Sequence, residues 1–169
     1  MENLRAESYS TRSLTRFYIY RKTAMNTSRW ASVDAALLLL RVGIGISFVF
    51  VYGYEKLFGG PEKWMGLGQN ISALGITFWP TFWGFMGSFA EFAGALLVML
   101  GLLTRPALGL LIMTMIVAAT GHITGTIGGG PWHATEMLTV FVVLLLTGPG
   151  RYSIDAMIEN KRGAAVDAA

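Results

Sequence analysis

No cysteine occurs in the 169 residues, which excludes a disulfide framework, a cysteine-ligated iron–sulfur cluster and a catalytic thiol pair. Any thiol chemistry therefore belongs to a partner. Charge is also scarce. Asp, Glu, Lys and Arg make up 14% of the chain against 53% hydrophobic residues, and the mean hydropathy is +0.52. Soluble domains carry about a quarter charged residues, so the surplus apolar surface here needs lipid. Absent too are a nucleotide-binding loop, a serine-nucleophile motif and a zinc-ligand spacing. The segment GTIGGGP falls between apolar runs rather than between a strand and a helix, and reads as a turn. The net charge of +3 comes mainly from basic residues in tails beside apolar segments, so nucleic acid is not expected as a partner.

What the sequence does contain is a series of apolar runs. A helix needs about 20 residues to cross the hydrocarbon layer, so four such runs use most of the chain and leave no room for a second domain. The first span is expected from Val33 to Tyr54, the second from Thr81 to Leu103 and the third from Pro106 to Thr124. Proline can open a helix because its missing donor would be unpaired there anyway. The fourth, from His133 to Thr147, is short for a span and ends at the breaker Gly148-Pro149-Gly150. Between the first two, a segment of glycine, charge and aromatics predicts a short helix at the outer interface. The expected fold is an all-α integral membrane four-helix bundle over residues 33–156, between a polar tail of residues 1–32 and a second tail of residues 157–169. The first tail has no apolar stretch long enough for a signal-peptide core. Met25 begins MNTSRWASVDAALLLLRVG, which reads as a natural membrane-protein start.

Of the thirteen Lys and Arg, six precede the first span, Arg105 lies between the second and third, and Arg151, Lys161 and Arg162 follow the fourth. Lys56 and Lys63 fall on the other side, and Arg41 lies inside a span. The positive-inside rule then places both termini in the cytoplasm, with the chain multi-pass in the cytoplasmic (inner) membrane. Trp30, Trp64, Trp79, Trp83 and Trp132 fall at expected span ends or in the interfacial segment, as aromatic belts do. Small residues four apart, Gly43 with Ser47 and Ala90 with Gly94, suit a close helix seam within the bundle or a homodimer contact.

An ionised group at mid-bilayer costs about 2.5 kcal/mol or more, so each needs a partner, a route to water or a proton. Arg41 either pairs with Glu91 or snorkels to the inner headgroups. Glu91, near the middle of the second span, is too short to reach either interface and must be paired or protonated. His122 and Glu136 sit near the outer end of the third and fourth spans, where antiparallel packing would gather them with Glu55, Lys56 and His133 into a polar funnel above Glu91. Alternatively these are helix-end residues solvated by interfacial water. A bis-histidine haem through His122 and His133 is disfavoured by their place beside a glycine turn. No repeated ligand spacing supports a metal site.

LLLLRVGIGISFVFVYGYEKLFGG, then GSFAEFAGALLVMLGLLTRPALGLLIMTMIVAATGHITG, then HATEMLTVFVVLLLTGPGRYSIDA resemble, in order and spacing, the three blocks of the DoxX family of small bacterial and archaeal membrane proteins. The resemblance covers about residues 35 to 156. Its characteristic positions map onto Arg41, Gly53, Lys56, Leu57 and Phe58, then Glu91, Gly94, Gly101 and Arg105, then His122 and Glu136, and finally GPGRYSID. It implies a four-helix membrane bundle and an association with quinone-linked or thiol-redox and oxidative-stress systems. Related quinone-reducing membrane bundles that use a cysteine pair are a poor guide to this chain, which has none.

The leading expectation is a membrane subunit of a quinone-linked redox system. Glu91, His122 and Glu136 would supply protons or hydrogen bonds, and Arg41 and Lys56 would balance charge at a lipid-accessible quinone. No redox group would be bound covalently, so electrons would come from a soluble redox partner protein or a diffusible donor. Two other classes compete: a non-enzymatic scaffold that anchors soluble redox enzymes, and a small-solute or proton-coupled transporter, for which four helices without an inverted repeat are few.

Overall fold

The computed structural model describes residues 32–166, and every regular element among them is helical. The first tail and the candidate start at Met25 lie outside the described residues. Among the described residues, those from Leu37 onward form one compact unit.

Helix α1 runs over Ser32–Leu57, α3 over Pro80–Leu100 and α4 over Thr104–Ile123, and all three are long and apolar enough to cross a membrane. They match the expected first three spans to within a few residues. The fourth expected span is helix α5, Trp132–Thr147, apolar but only 16 residues long. Helix α2 spans Gly60–Gly68 and α6 spans Ile154–Val166. Leu39, Phe50 and Leu146 are turned outward and largely exposed, the arrangement a lipid-facing surface requires and a water-facing one avoids.

The core lies between α1, α3, α4 and α5. Phe48 of α1 meets Phe141 of α5 edge to face, with ring centroids 5.2 Å apart. Around them Val98, Leu108, Leu111 and Leu144 are fully buried. In lipid such packing rests on close contact rather than on release of water.

The glycine-rich stretch between α1 and α3 is more than an interfacial helix. Helix α2 continues into a 3-10 turn over Gln69–Leu74 and packs on the first half of α3. The backbones touch: a Cβ on Gly68 would strike the Pro80 carbonyl, and one on Gly84 the Trp64 carbonyl. Trp64 lies against Phe85 with ring centroids 5.0 Å apart, and its Nε1 donates to the Lys56 carbonyl at 3.0 Å. The indole thus holds the end of α1 against the start of α3.

Helix α4 begins at Thr104, two residues before Pro106. The first α-helical bond is donated by Ala107 to the Leu103 carbonyl, so Pro106 still occupies the first turn, where no donor is missed. Helix α3 ends in a left-handed glycine, Gly101 (φ 68°). Leu102 N–H bonds to the Leu97 carbonyl at 2.9 Å and Gly101 N–H to that of Val98 at 3.1 Å, the paired closing bonds of a Schellman cap.

Candidate functional site

Two of the long helices depart from α-helical winding, and they do so side by side. In α1 the residues Ser47–Gly53 form π-helical turns, and in α3 the residues Ala90–Gly94 do the same. Such turns widen the helix and recur at functional sites because they re-aim the side chains that follow. The two segments pack on each other at Gly53, where the absence of a side chain lets the Phe92 backbone approach.

This crossing sets the position of Glu91. The residue lies in the widened turn and is buried. Lys56, one turn beyond Gly53, reaches back so that Nζ lies 2.6 Å from Oε2 of Glu91. A charge-assisted bond this short answers the requirement that an ion inside the bundle be compensated. The two ends of the pair differ in access: the Lys56 side chain is 31% exposed and that of Glu91 is 7%. One turn away on α3, Ser88 donates to the Gly84 carbonyl at 2.7 Å, so its buried hydroxyl is satisfied within its own helix.

His133, at the start of α5, joins the same neighbourhood. It lies close enough to Glu91 to interact electrostatically. Its ring stacks on Tyr52, with centroids 5.0 Å apart and planes 27° from parallel, and more distantly on Phe48 at 6.4 Å. Tyr52 and Phe48 belong to the π-helical part of α1. The result is a carboxylate and an amine bounded on one side by stacked flat rings. Such a place can hydrogen-bond a carbonyl or hydroxyl and hold a planar apolar body against it.

The remaining candidates are distributed more widely. Nδ1 of His122 is buried and has no hydrogen-bond partner among the described residues, while Glu136 is exposed and makes no ion pair among them. Neither bonds to Glu91. Glu55, at the same end of the bundle, is paired with Lys63.

Arg41 occupies a second polar cluster at the opposite end of the bundle. Its side chain is 0% exposed, and Nη2 donates to the Tyr152 carbonyl at 2.8 Å. The guanidinium lies so close to Gly101 that a Cβ there would collide with Nη1. Asp155 completes the cluster. Its carboxylate accepts from Leu103 N–H at 2.9 Å, Thr104 N–H at 3.0 Å and the Thr104 hydroxyl at 2.9 Å, and its own N–H donates to the Gly101 carbonyl at 2.9 Å. Asp155 thereby fills the unpaired donors at the start of α4 from a distant helix. Its carboxyl is held below the usual carboxylate range. Burial, the largest single influence, pushes it up, but the Thr104 and Leu103 donors, together with nearby Arg41, outweigh that.

An Arg41–Glu91 pair, one of the two sequence expectations for Arg41, does not form: Glu91 is taken by Lys56 and Arg41 by the Gly101–Asp155 corner. Nor does Arg41 snorkel into headgroups, since it is fully buried. The sequence places His133 in the funnel above Glu91, but gives no such role to Tyr52 and does not point to Asp155 as a partner of Arg41. For Tyr52 a signal exists, because in α1 it lies four residues after Phe48 and four before Lys56, close to one helical face. For Asp155 the signal was its place in GPGRYSID.

The DoxX family model matches residues 36–124, a stretch that includes Arg41, Lys56, Glu91 and His122. The inner membrane protein YphA of Escherichia coli (strain K12) is 31% identical over 144 residues, covering 78% of this chain and 99% of its own. The inner membrane protein YqjF of the same organism is 31% identical over 132 residues, covering 76% of this chain and 95% of its own. No solved structure matches the chain.

Proposed function

The chain belongs to the DoxX family and is a multi-pass inner membrane protein, and from that premise we propose that it is the membrane subunit of a quinone-linked redox system, with its quinone site at the Lys56–Glu91 pair. The observation that carries this reading is a buried carboxylate bonded to an amine at 2.6 Å, in widened helical turns, beside the stacked rings of His133 and Tyr52. Quinone reduction takes up electrons and protons together. A buried acid with a half-open amine beside it is suited to hold the quinone oxygen and pass protons. Flat rings suit the quinone body.

In this reading Glu91 is the proton-handling group and Lys56 balances its charge. His122, with a buried unpaired nitrogen, and Glu136, at the exposed start of α5, serve as hydrogen-bonding and proton-supplying groups at the same end. Arg41 balances charge at the other end. Electrons come from a soluble redox partner protein. The bundle crosses four times with both termini in the cytoplasm. That orientation is supported by the basic excess at the end carrying Arg105, Arg151, Lys161 and Arg162, and α5 serves as a short fourth span.

The reading is tested by purifying the protein gently and taking a lipid extract and a spectrum. Quinone that co-purifies with the wild type and is depleted in Lys56→Met supports it. Equal quinone in both, at the level of the surrounding lipid, opposes it.

A second reading is favoured by the same basic end: a scaffold that anchors soluble redox enzymes through Arg105 and the C-terminal helix. It predicts that replacing Glu91 leaves function intact while reversing the charges of that end abolishes it.

A further inference from the structure

Helix α6 leaves the bundle from a rigid root. Ser153 starts it, accepting from Ala156 N–H at 3.1 Å while donating to the Gly150 carbonyl at 2.7 Å. Arg41 holds the Tyr152 carbonyl, and Gly101 and Thr104 hold Asp155. The first turn of α6 is therefore fixed at the ends of α1, α3 and α4. Beyond Ala156 no residue through Ala165 is buried.

Unpartnered though it is, the helix is not uniformly polar. At about 100° per residue, Ile154, Met157, Ile158, Lys161 and Ala165 share one side, with Arg162 at its border. Met157 is 54% exposed and Ile158 is 39%. Asp155, turned to the α3–α4 corner, lies about 100° around the helix from Ile154, so the apolar side points away from the grip that fixes the root. Glu159 and Gly163 occupy the other side.

Charge around this side is of one sign. Arg105, Lys161 and Arg162 are exposed, and Arg151 precedes the helix. Of the nearby acids, Asp155 is already bonded through both oxygens to Leu103 and Thr104, and Glu159 faces elsewhere. An exposed apolar stripe edged by cations, rooted where transmembrane helices end, matches the interface of an anionic leaflet. Apolar side chains there enter the headgroup boundary, and each Lys or Arg near the surface is drawn to the anionic headgroups.

We infer that α6 is a lipid-binding element, which lies on the membrane surface with Met157 and Ile158 in the headgroup boundary and Lys161, Arg162 and Arg105 on the phosphates of anionic lipids. A water-soluble protein partner would need the apolar stripe accessible from the aqueous side. A leaflet covers it instead.

The absence of cysteine makes the test clean. Met157→Cys and Gly163→Cys, about 120° apart around α6 and with open space around a Cβ at 163, are labelled separately with an environment-sensitive fluorophore on the full chain. Each is reconstituted into nanodiscs of phosphatidylcholine, alone or mixed with phosphatidylglycerol. In the mixed discs the label at 157 should be quenched several-fold more by lipids carrying a shallow nitroxide than the label at 163, and less by aqueous iodide. Lys161→Glu with Arg162→Glu should erase that difference, as should pure phosphatidylcholine. An unchanged thermal unfolding midpoint shows the fold intact, since both side chains are exposed. Equal iodide quenching at 157 and 163 in mixed discs would overturn the inference. So would lipid quenching that ignores both phosphatidylglycerol and charge reversal. A label at 157 shielded only after a cytosolic extract is added would overturn it in favour of a protein partner.

Discussion

Gly53 of α1 lies against the backbone of Phe92 in α3 so closely that a Cβ on it would come within 2.7 Å of the Phe92 Cα. Both residues belong to π-helical turns, Gly53 three residues before Lys56 and Phe92 next to Glu91, the two members of the ion pair. Backbone proximity at one glycine thus sets the distance across which an amine and a carboxylate meet inside an apolar bundle.

Gly53→Ala is expected to push the two turns apart, because the opposing atoms are backbone and cannot rotate away. Overpacking of this kind costs about 1–3 kcal/mol. In detergent the unfolding midpoint should fall. A change confined to midpoint, with quinone binding per folded molecule unchanged, would mean that the crossing does not position the pair.

Removing one partner of the Lys56–Glu91 pair should cost more than removing both. A fully buried charge left alone costs about 3–5 kcal/mol, and here the figure is discounted because the Lys56 side chain is 31% exposed. Lys56→Met is therefore expected to lower stability by about 1–3 kcal/mol, and Lys56→Met combined with Glu91→Gln to recover part of the loss. A double-mutant cycle from unfolding midpoints checks this. Strict additivity would contradict it.

Much of this fold was legible before any coordinates. The apolar runs marked α1, α3, α4 and α5 to within a few residues, because hydropathy over about 20 residues is a local property. The isolated charges Arg41, Lys56 and Glu91 were legible as sites that need partners. The choice of partner was not. Arg41 donates to the carbonyl of Tyr152, 111 residues away, and a backbone carbonyl leaves no trace in residue type. The π-helical winding at Ser47–Gly53 and Ala90–Gly94 was hidden as well, since apolar residues fit either winding and only the turn contents decide which is adopted. That winding brings Lys56 to Glu91.

Gly101→Ala should disrupt the Arg41 corner twice over. The residue has a φ of 68°, which penalises any side chain, and the new Cβ would collide with Nη1 of Arg41. The strain alone costs about 1 kcal/mol. The expected outcome is a destabilised protein in which the α3–α4 corner becomes sensitive to limited proteolysis. Wild-type resistance at Leu102 and Leu103 would contradict the packing described.

Asp155 gives the corner a defined pH dependence. Its folded carboxyl is below its ordinary value despite burial, through the donors of Thr104 and Leu103 and the charge of Arg41. The unfolded chain therefore binds the proton more readily. The stabilisation is fully present above the ordinary carboxylate range, about pH 4, and is lost as pH falls through the lower folded value. Being partly solvated, the group contributes no more than about 1 kcal/mol. Unfolding midpoints of wild type and Asp155→Asn should differ at neutral pH and converge in acid. A constant difference across that range would refute the assignment.

The most direct test of the central claim is a titration of the purified wild-type protein with a short-chain quinone, followed by quenching of intrinsic tryptophan fluorescence, beside the same titration of Glu91→Gln. The account predicts saturable binding to the wild type and at least tenfold weaker binding to the variant, with both proteins folded. Absent binding, or binding of equal strength in the two, would contradict it.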